Sequence, residues 1–299
     1  MKAIKEPKNK VLVSFSGGET SAYMINWLLL NKPNKEYYYV FANTGEENEE
    51  TLLFVKQVSE YFKINVIWLE YDRLSFKIVD YKTAYRSHSP KEIVSNWKNH
   101  PFRKYIEDFM IPNVTNNSCS RELKEYIIRR YVNSLGLKPR HYDIAIGIRA
   151  DEVNRIGNHY YPLLANNINK QMVNAFWNNM PFRLQIKGYE GNCKTCWKKS
   201  FRKLVTIARE SPEKFGFFAQ MEKEFTNHVK ETQAHRIKPP IRFFRGKKTV
   251  SDIMAMAKDL SIENAIDDKL IYNYQISMFS DGTELDMSNG CTESCDAFN

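Results

Sequence analysis

A short apolar strand, followed at once by Ser-Gly-Gly and a helix start, constrains this chain more than any other feature. The stretch VLVSFSGGETSAYM places apolar residues 11–15 directly before Gly17 and Gly18. Glycines adopt backbone conformations that other residues avoid and let amide groups approach an anion closely. The helix start adds unpaired N–H groups and a dipole that favours phosphate. The pattern predicts a phosphate-binding loop from Ser16 to Ser21; an ordinary strand-to-helix turn with polar caps is the alternative.

Alternating strands and helices follow this loop. We predict strands at 11–15, 37–42 and 66–69, with helices between them at 20–30 and 49–62. Such a βαβαβ series builds a parallel sheet with helices on both faces, and its ligands bind at the carboxyl ends of the strands. We therefore predict an α/β fold with a doubly wound parallel sheet.

The remainder of the chain is expected to add a last strand to this sheet and then to form a helical C-terminal region. Residues 71–118 are rich in aromatic and basic side chains without a clear period, which indicates an insertion over the site. A helix at 122–135 and a strand at 144–148 follow. We predict a nucleotide-binding α/β domain over 1–156, and a helical region over 157–299 that carries a C-x-x-C pair, a helix from about 250 to 259 and a polar tail.

Composition narrows the partners and the compartment. The formal net charge of +9 favours polyanionic partners such as nucleotides or nucleic acid. The start, MKAIKEPKNK, has no signal-peptide pattern, and no run approaches the roughly 20 apolar residues of a membrane span. We expect a cytoplasmic protein without a membrane partner. Five cysteines in a reducing compartment argue against a disulfide framework, so metal binding or thiol chemistry becomes the question.

Polar residues follow the second predicted strand in FANTGEENEETLLFV. Asn43, Thr44 and Gly45 come at its carboxyl end, where an adenine or ribose would lie across the crevice from the phosphate loop. A capped start of the next helix would give the same pattern.

A charged segment, GIRADEVNR, follows the strand predicted at 144–148. Gly147 begins it, Arg149 and Arg155 suit phosphate or sulfate, and Asp151 and Glu152 suit a metal ion or a hydroxyl. A solvated charged turn remains the alternative.

These segments together resemble the phosphoadenosine phosphosulfate reductase branch of the PP-loop ATP pyrophosphatase superfamily, especially the reductase-like proteins of phages and mobile elements. The resemblance covers most of residues 10–250 and runs through SFSGGETSAYM, FANTGEENEETL, NSCSRELK, GIRADEVNR, YYPL with NAFWNNMPFRLQI, GNCKTCWKKS and FFRGKK. It implies an adenine-nucleotide-binding fold and sulfur-related chemistry.

The resemblance also implies roles for the loop residues. ATP would bind with Mg²⁺ at Ser14, Ser16, Gly17, Gly18, Glu19, Thr20 and Ser21. The superfamily pattern has Asp where this chain has Thr20, and that Asp is expected to help organise Mg²⁺ and pyrophosphate. Threonine can substitute only in part, so a nucleotide-sensing or nucleic-acid-binding protein without turnover is one alternative function.

Three hypotheses for the role of the cysteines remain open. Relatives hold iron–sulfur clusters with similar distant cysteines, which implies a cluster on Cys119, Cys193 and Cys196, with its fourth position open to sulfur or filled by Cys291 or Cys295. A structural Zn²⁺ on Cys193, Cys196, Cys291 and Cys295 is the second reading, because two cysteine pairs make a closed tetrahedral site. Ordinary or redox-active thiols are the third.

The tail distinguishes two reactions. True sulfonucleotide reductases attack sulfate sulfur with a cysteine in a C-terminal Glu-Cys-Gly-Leu-His segment, whereas this tail reads NGCTESCDAF. We therefore rank ATP-dependent adenylation with sulfur transfer above reduction of a phosphoadenosine phosphosulfate-type nucleotide. Arg149, Asp151, Glu152 and Cys119 join Ser16 and Thr20 as candidate catalytic residues.

Basic and aromatic residues interleave in WKNHPFRKY, IIRRY, LKPRHY, FRLQIK and PPIRFFRGKK, which suits stacking on bases and contact with phosphates. Amphipathic surface elements explain the same mixture. The expected partners are an adenine nucleotide, with tRNA or DNA and a sulfur-donor protein as candidates. The sequence leaves the oligomeric state open, with a homodimer as one possibility.

Overall fold

A computed structural model describes residues 6–86, 97–267 and 297–298. Five strands form one sheet in the order β4-β3-β2-β1-β5. Their bounds are β1 Lys10–Ser14, β2 Glu36–Asn43, β3 Val66–Asp72, β4 Ser75–Val79 and β5 Tyr142–Ala145. All neighbouring strands pair in parallel except β3 and β4, which are antiparallel. The predicted α/β fold is confirmed, with an antiparallel strand added at one edge.

Helices connect and cover these strands. They are α1 Glu19–Asn31, α2 Glu49–Tyr61, α3 Pro101–Phe109, α4 Ile127–Ser134, α5 Pro162–Ala165, α6 Lys170–Asn178, α7 Phe201–Glu210, α8 Gly216–Phe225 and α9 Val250–Met256. The helices predicted at 20–30, 49–62 and 250–259 are present, and no end differs from the prediction by more than three residues. The helix predicted at 122–135 is present as a π-helical stretch, Arg121–Tyr126, that continues into α4.

Both faces of the sheet are buried at its central strand β1, as the continuous apolar character of β1 requires. Val11 and Val13 point to one face, where α1, α2 and α6 pack, whereas Leu12 points to the other, where α3, α4 and α7 to α9 pack. All three side chains are fully buried. Each apolar layer draws side chains from before and after residue 156, so the C-terminal region contributes to both sides of the core.

Regular structure within residues 71–118 differs from the irregular insertion that the sequence suggests. β3 turns back into β4 through Arg73 and Leu74, which both have positive φ (49° and 60°) and so form a tight two-residue hairpin. This turn lacks the Asn-Gly or Asp-Gly signal of such hairpins, so the sequence pattern does not reveal β4. α3 then begins after His100, whose Nδ1 accepts a hydrogen bond from the Phe102 amide.

The last strand also differs from the expected 144–148. β5 begins at Tyr142 and ends at Ala145, and the chain then continues in a less regular path. Ile146 donates its amide to the carbonyl of Tyr160, and Tyr160 donates to the carbonyl of Ile144. After Ala145 the chain therefore bonds to Tyr160 and no longer pairs with β1.

No helix within the described ranges is both long enough and apolar enough to cross a membrane.

Candidate functional site

The Ser-Gly-Gly turn has the conformation that a phosphate loop needs. Gly17 has a φ of +80°, and a Cβ there would lie 2.8 Å from the Thr51 side chain. Gly18 is extended and caps α1, which begins at Glu19. The amides at the start of α1 precede the first helical hydrogen bond, from Ala22 to Gly18. The geometry therefore supplies donors at the carboxyl end of β1.

Serine hydroxyls hold the turn together. Ser21 is buried and donates its hydroxyl to the Gly18 carbonyl at 2.9 Å. Its oxygen also lies 2.9 Å from the Ser16 hydroxyl, which must donate because the Ser21 hydrogen is already used. Ser14 is buried at the end of β1. Ser21 thus acts inside the loop, whereas Ser16 and Thr20 are partly exposed.

The charged segment after β5 contacts the same helix start. Arg149 donates from Nη1 to the Thr20 hydroxyl at 3.0 Å and pairs with Asp151 at 2.9 Å. Its backbone amide donates to Glu152, which also pairs with Arg155. Burial alone would raise the pKa of Asp151, but the hydrogen bond and charge of Arg149 outweigh it and lower the pKa. The two arginines are therefore held by carboxylates beside the turn.

A glycine allows this close approach. An added Cβ at Gly147 would lie 2.9 Å from the Cα of Ser21 and 3.1 Å from its amide nitrogen. Only a glycine fits at this contact without moving the backbone of α1.

Asn43, Thr44 and Gly45 lie at the end of β2 but face inward. Asn43 is fully buried and donates to Glu70 at 2.7 Å and to the carbonyl of Tyr85 at 3.0 Å. Gly45 has a φ of +83°, and a Cβ there would lie 2.7 Å from the His100 ring. The structure thus assigns the Asn43 side chain to internal hydrogen bonds.

Thr44 links the end of β2 to the C-x-x-C segment. Its hydroxyl lies 2.9 Å from both oxygens of Glu47, to which it donates, and 3.6 Å from the Sγ of Cys193. Because a carboxylate only accepts, the hydroxyl keeps its lone pairs for other donors, including the amide of Glu46.

Cys119 and the distant C-x-x-C pair line one cavity. Cys119, Cys193 and Cys196 are all buried and unbridged. The cavity measures about 20 Å³, which accommodates roughly one water molecule. Its other lining residues are Thr44, Phe102, Ser120, Leu123, Lys124, Trp197 and Phe218. The fold therefore brings Cys119 next to the C-x-x-C pair, although they are distant in sequence.

Three thiol sulfurs are a donor set that suits a soft metal. Within the described residues, no group of three or more His, Cys, Asp or Glu side chains is arranged to hold a metal ion. Cys291 and Cys295 lie outside the described residues. The iron–sulfur and zinc assignments both stay predictions.

Buried charges beside the cavity are a feature that the sequence does not single out. The carboxylate of Glu46 lies 3.1 Å from Nε2 of His100 and 3.8 Å from Nζ of Lys194, and all three side chains are almost fully buried. Burial lowers the pKa of both His100 and Lys194, partly offset by the charge of Glu46. The amide of Lys194 also donates to the Glu46 carbonyl at 2.9 Å. The sequence places Glu46 only as one of several polar residues after β2, so it gives no specific signal for this cluster.

Residues 10–156 match the family model of the phosphoadenosine phosphosulfate reductase domain. The chain carries a phosphoadenosine phosphosulfate reductase domain. The chain is also similar to the uncharacterized nin region protein ORF290 of Escherichia phage lambda, with 29% identity over 295 residues, which are 96% of this chain and 94% of the relative.

A second relative matches only in part. An uncharacterized protein of Methanocaldococcus jannaschii is 33% identical over 101 residues, which are 34% of this chain and 20% of that protein. The reductase-type domain contains the phosphate turn, the Asn43 to Gly45 segment, Cys119 and the GIRADEVNR segment. The C-x-x-C pair lies beyond the matched stretch. The nucleotide-binding, reductase-like character of the chain follows from this domain, as the sequence resemblance implied.

Proposed function

We propose that this protein is an ATP-consuming enzyme that adenylates an acceptor, releases pyrophosphate and then transfers sulfur to the activated centre. The observation that supports this most strongly is the contact between Thr44 and Cys193. It joins the sheet edge where the nucleotide is expected to the cavity lined by three thiols. A nucleotide site and a sulfur site side by side suit a two-stage reaction.

The first stage is displacement at phosphorus. An acceptor oxygen attacks the α phosphorus of ATP, the bond to the β-phosphate oxygen breaks, and pyrophosphate leaves with the electron pair. Ser16, Gly17, Gly18 and the first amides of α1 would hold the β and γ phosphates. Arg149 and Arg155 would neutralise developing negative charge.

Mg²⁺ would bind beside the phosphates in this proposal. Asp151 and Glu152 provide the carboxylates, and Thr20 takes the position of the superfamily Asp. Thr20 already accepts a hydrogen bond from Arg149 in this structure. An arginine at this position can bind phosphate oxygens directly. It would supply positive charge to the phosphates, which the superfamily Asp supplies indirectly by binding Mg²⁺.

In the second stage, sulfur at the oxidation level of sulfide attacks the adenylated carbon, the carbon–oxygen bond breaks and AMP leaves with the oxygen. Cys119, Cys193 and Cys196 would bind the sulfur or hold an iron–sulfur cluster that supplies a soft binding site for it. A Zn²⁺ bound by Cys193, Cys196, Cys291 and Cys295 would instead stabilise the fold and take no part in the reaction. The acceptor candidates are a base in tRNA or DNA, and the sulfur source is a donor protein.

ATP–pyrophosphate exchange tests the first stage. We expect exchange in the wild type, and its loss in a Ser16→Ala, Gly17→Ala double variant. Ser16→Ala alone keeps the Gly17 turn and separates the hydroxyl from the backbone effect. A double variant of the same composition elsewhere, Ser251→Ala with Gly216→Ala, is the matched control, because Ser251 is exposed and Gly216 has open space around it. Intact exchange in the loop variant would remove the proposal.

Anaerobic purification with iron and zinc analysis tests the metal assignments. Iron that is lost in Cys119→Ser and Cys196→Ser variants supports the cluster. One zinc per chain that is lost in Cys193→Ser and Cys291→Ser, but kept in Cys119→Ser, supports the zinc site. Neither metal in the wild type leaves the cysteines as thiols.

A second candidate function is reduction of a phosphoadenosine phosphosulfate-type nucleotide, because the matched domain is named for that activity. Sulfite formation with thioredoxin as the reductant, lost in Cys291→Ser or Cys295→Ser, would support it. Absence of sulfite from the wild type under these conditions would exclude it.

A further inference from the structure

A carboxylate stands at the start of the phosphate-binding helix. Glu19 is the first residue of α1, directly after Gly18. Its side chain is only 9% exposed, so it cannot swing freely into solvent. An unpaired negative charge at this position would repel the phosphates that the neighbouring amides are arranged to bind.

A residue from beyond the matched domain pairs with this carboxylate. Arg183 donates from Nε to Glu19 at 2.8 Å and from Nη2 to the second carboxylate oxygen at 3.4 Å. The same guanidinium donates to the side chains of Asn174 and Asn178. Its own side chain is 17% exposed. This is a two-point, largely desolvated pair and not a mobile surface ion pair.

The backbone of the same residue is held as well. The indole of Trp177 donates to the Glu19 carbonyl at 2.9 Å, and the Trp177 side chain is 1% exposed. It packs against Phe54 of α2, with ring centroids 5.0 Å apart. Trp177 of α6 and Arg183, five residues beyond α6, therefore fix the main chain and the side chain of Glu19.

We propose that Arg183 is a positioning residue for the nucleotide phosphates: it neutralises Glu19 and holds its carboxylate away from the phosphate-binding amides. This inference rests on the proposed function. It makes the phosphate site depend on a segment outside residues 10–156. The ligand class is a polyphosphate or phosphosulfate nucleotide, because the effect acts through charge and not through the adenine or ribose.

Binding measurements with a charged and an uncharged ligand test this assignment. ATP and adenosine are titrated by calorimetry into the full chain at low salt, as wild type, Arg183→Met, Arg183→Lys, and Arg183→Met with Glu19→Gln. Arg73→Met is the matched control, because it removes the same charge from an arginine–carboxylate pair on the β3–β4 hairpin. Thermal unfolding of each variant reports folding separately.

We expect Arg183→Met to raise the Kd for ATP about tenfold, the effect of exposing one unit charge to the phosphates at short range. The Kd for adenosine stays within about twofold of wild type, as one charge acts weakly on a neutral ligand. Arg183→Lys keeps most of the affinity. The double variant recovers the wild-type Kd to within about twofold, because the charge that repelled ATP is gone.

Three results would overturn the inference. Equal weakening of ATP and adenosine would assign Arg183 a purely structural role. No recovery in the double variant would show that Glu19 is not the group through which Arg183 acts. An unchanged Kd for ATP in Arg183→Met overturns this inference alone, whereas a wild type that does not bind ATP overturns the proposed function with it.

Discussion

Replacing Gly147 by alanine should damage the phosphate site through a steric contact with one helix. The added Cβ would lie 2.9 Å from Cα and 3.1 Å from the amide nitrogen of Ser21. Both atoms belong to the backbone of the first turn of α1, so no side-chain rotation can relieve the contact. The helix start or the segment after β5 must move by several tenths of an ångström.

The loss of folding stability in Gly147→Ala can be estimated from the cost of overpacking a rigid interior. Inserting a methyl group into a packed site costs about 1–3 kcal/mol. For a chain of this length, about 2 kcal/mol lowers the Tm by about 3 °C. ATP binding should weaken as well, because the amides that would hold phosphate belong to the displaced turn. A shift of this size should weaken ATP binding about tenfold.

Differential scanning fluorimetry and ATP titration measure the two effects. Gly216→Ala is the matched control. Gly216 has helical φ and ψ of −56° and −43°, and a Cβ added there would meet no atom within 4 Å. Alanine there should keep or raise the Tm. Wild-type Tm and wild-type ATP affinity in Gly147→Ala would show that the segment after β5 and α1 do not approach as closely as described.

Three further outcomes follow from buried side chains. Trp177→Ala should lower the free energy of unfolding by about 3–5 kcal/mol, measured by urea denaturation, because it empties a fully buried site; Phe at this position should recover most of the loss. Thr44→Val should cost about 1–3 kcal/mol by leaving Glu47 short of a donor, whereas Thr44→Ser should be near wild type. Burial raises the pKa of Glu70 above its ordinary 4.5, so the folded state holds a proton that the unfolded chain releases; stability falls as pH rises from 4.5 through the folded pKa. Glu70→Gln should remove this dependence, and urea midpoints that fall equally with pH in both proteins would contradict it.

Local signals in the sequence are sufficient for the centre of the fold. The apolar run before the Ser-Gly-Gly turn is a strong pattern, and α1, α2 and the three parallel strands β1 to β3 lie where they are expected. β4 cannot be found in this way. Its five residues, SFKIV, are mostly exposed and its turn uses two residues with positive φ that carry ordinary side chains. Tertiary pairing with β3, and not local propensity, makes this segment a strand.

Residue identity alone predicts which side chains gather at the site better than it predicts what each one contacts. The approach of Arg149 to Thr20 follows from parallel strands ending at one edge. The inward orientation of Asn43 does not, because it depends on Glu70, a buried acceptor on the next strand. The Glu46–His100–Lys194 cluster joins three separate segments, and such a meeting is fixed only by the packed core.

The packing of α6 on α1 has a consequence for the order of events during synthesis. The phosphate turn leaves the ribosome early, but the indole that binds its backbone and the guanidinium that pairs with Glu19 are made more than 150 residues later. Until then, the surface of α1 and α2 that receives Trp177 is an uncovered apolar patch. The turn therefore gains these two contacts only after residues 177 and 183 have been made, and a ribosome stalled before α6 would hold a sheet whose first turn lacks both of them.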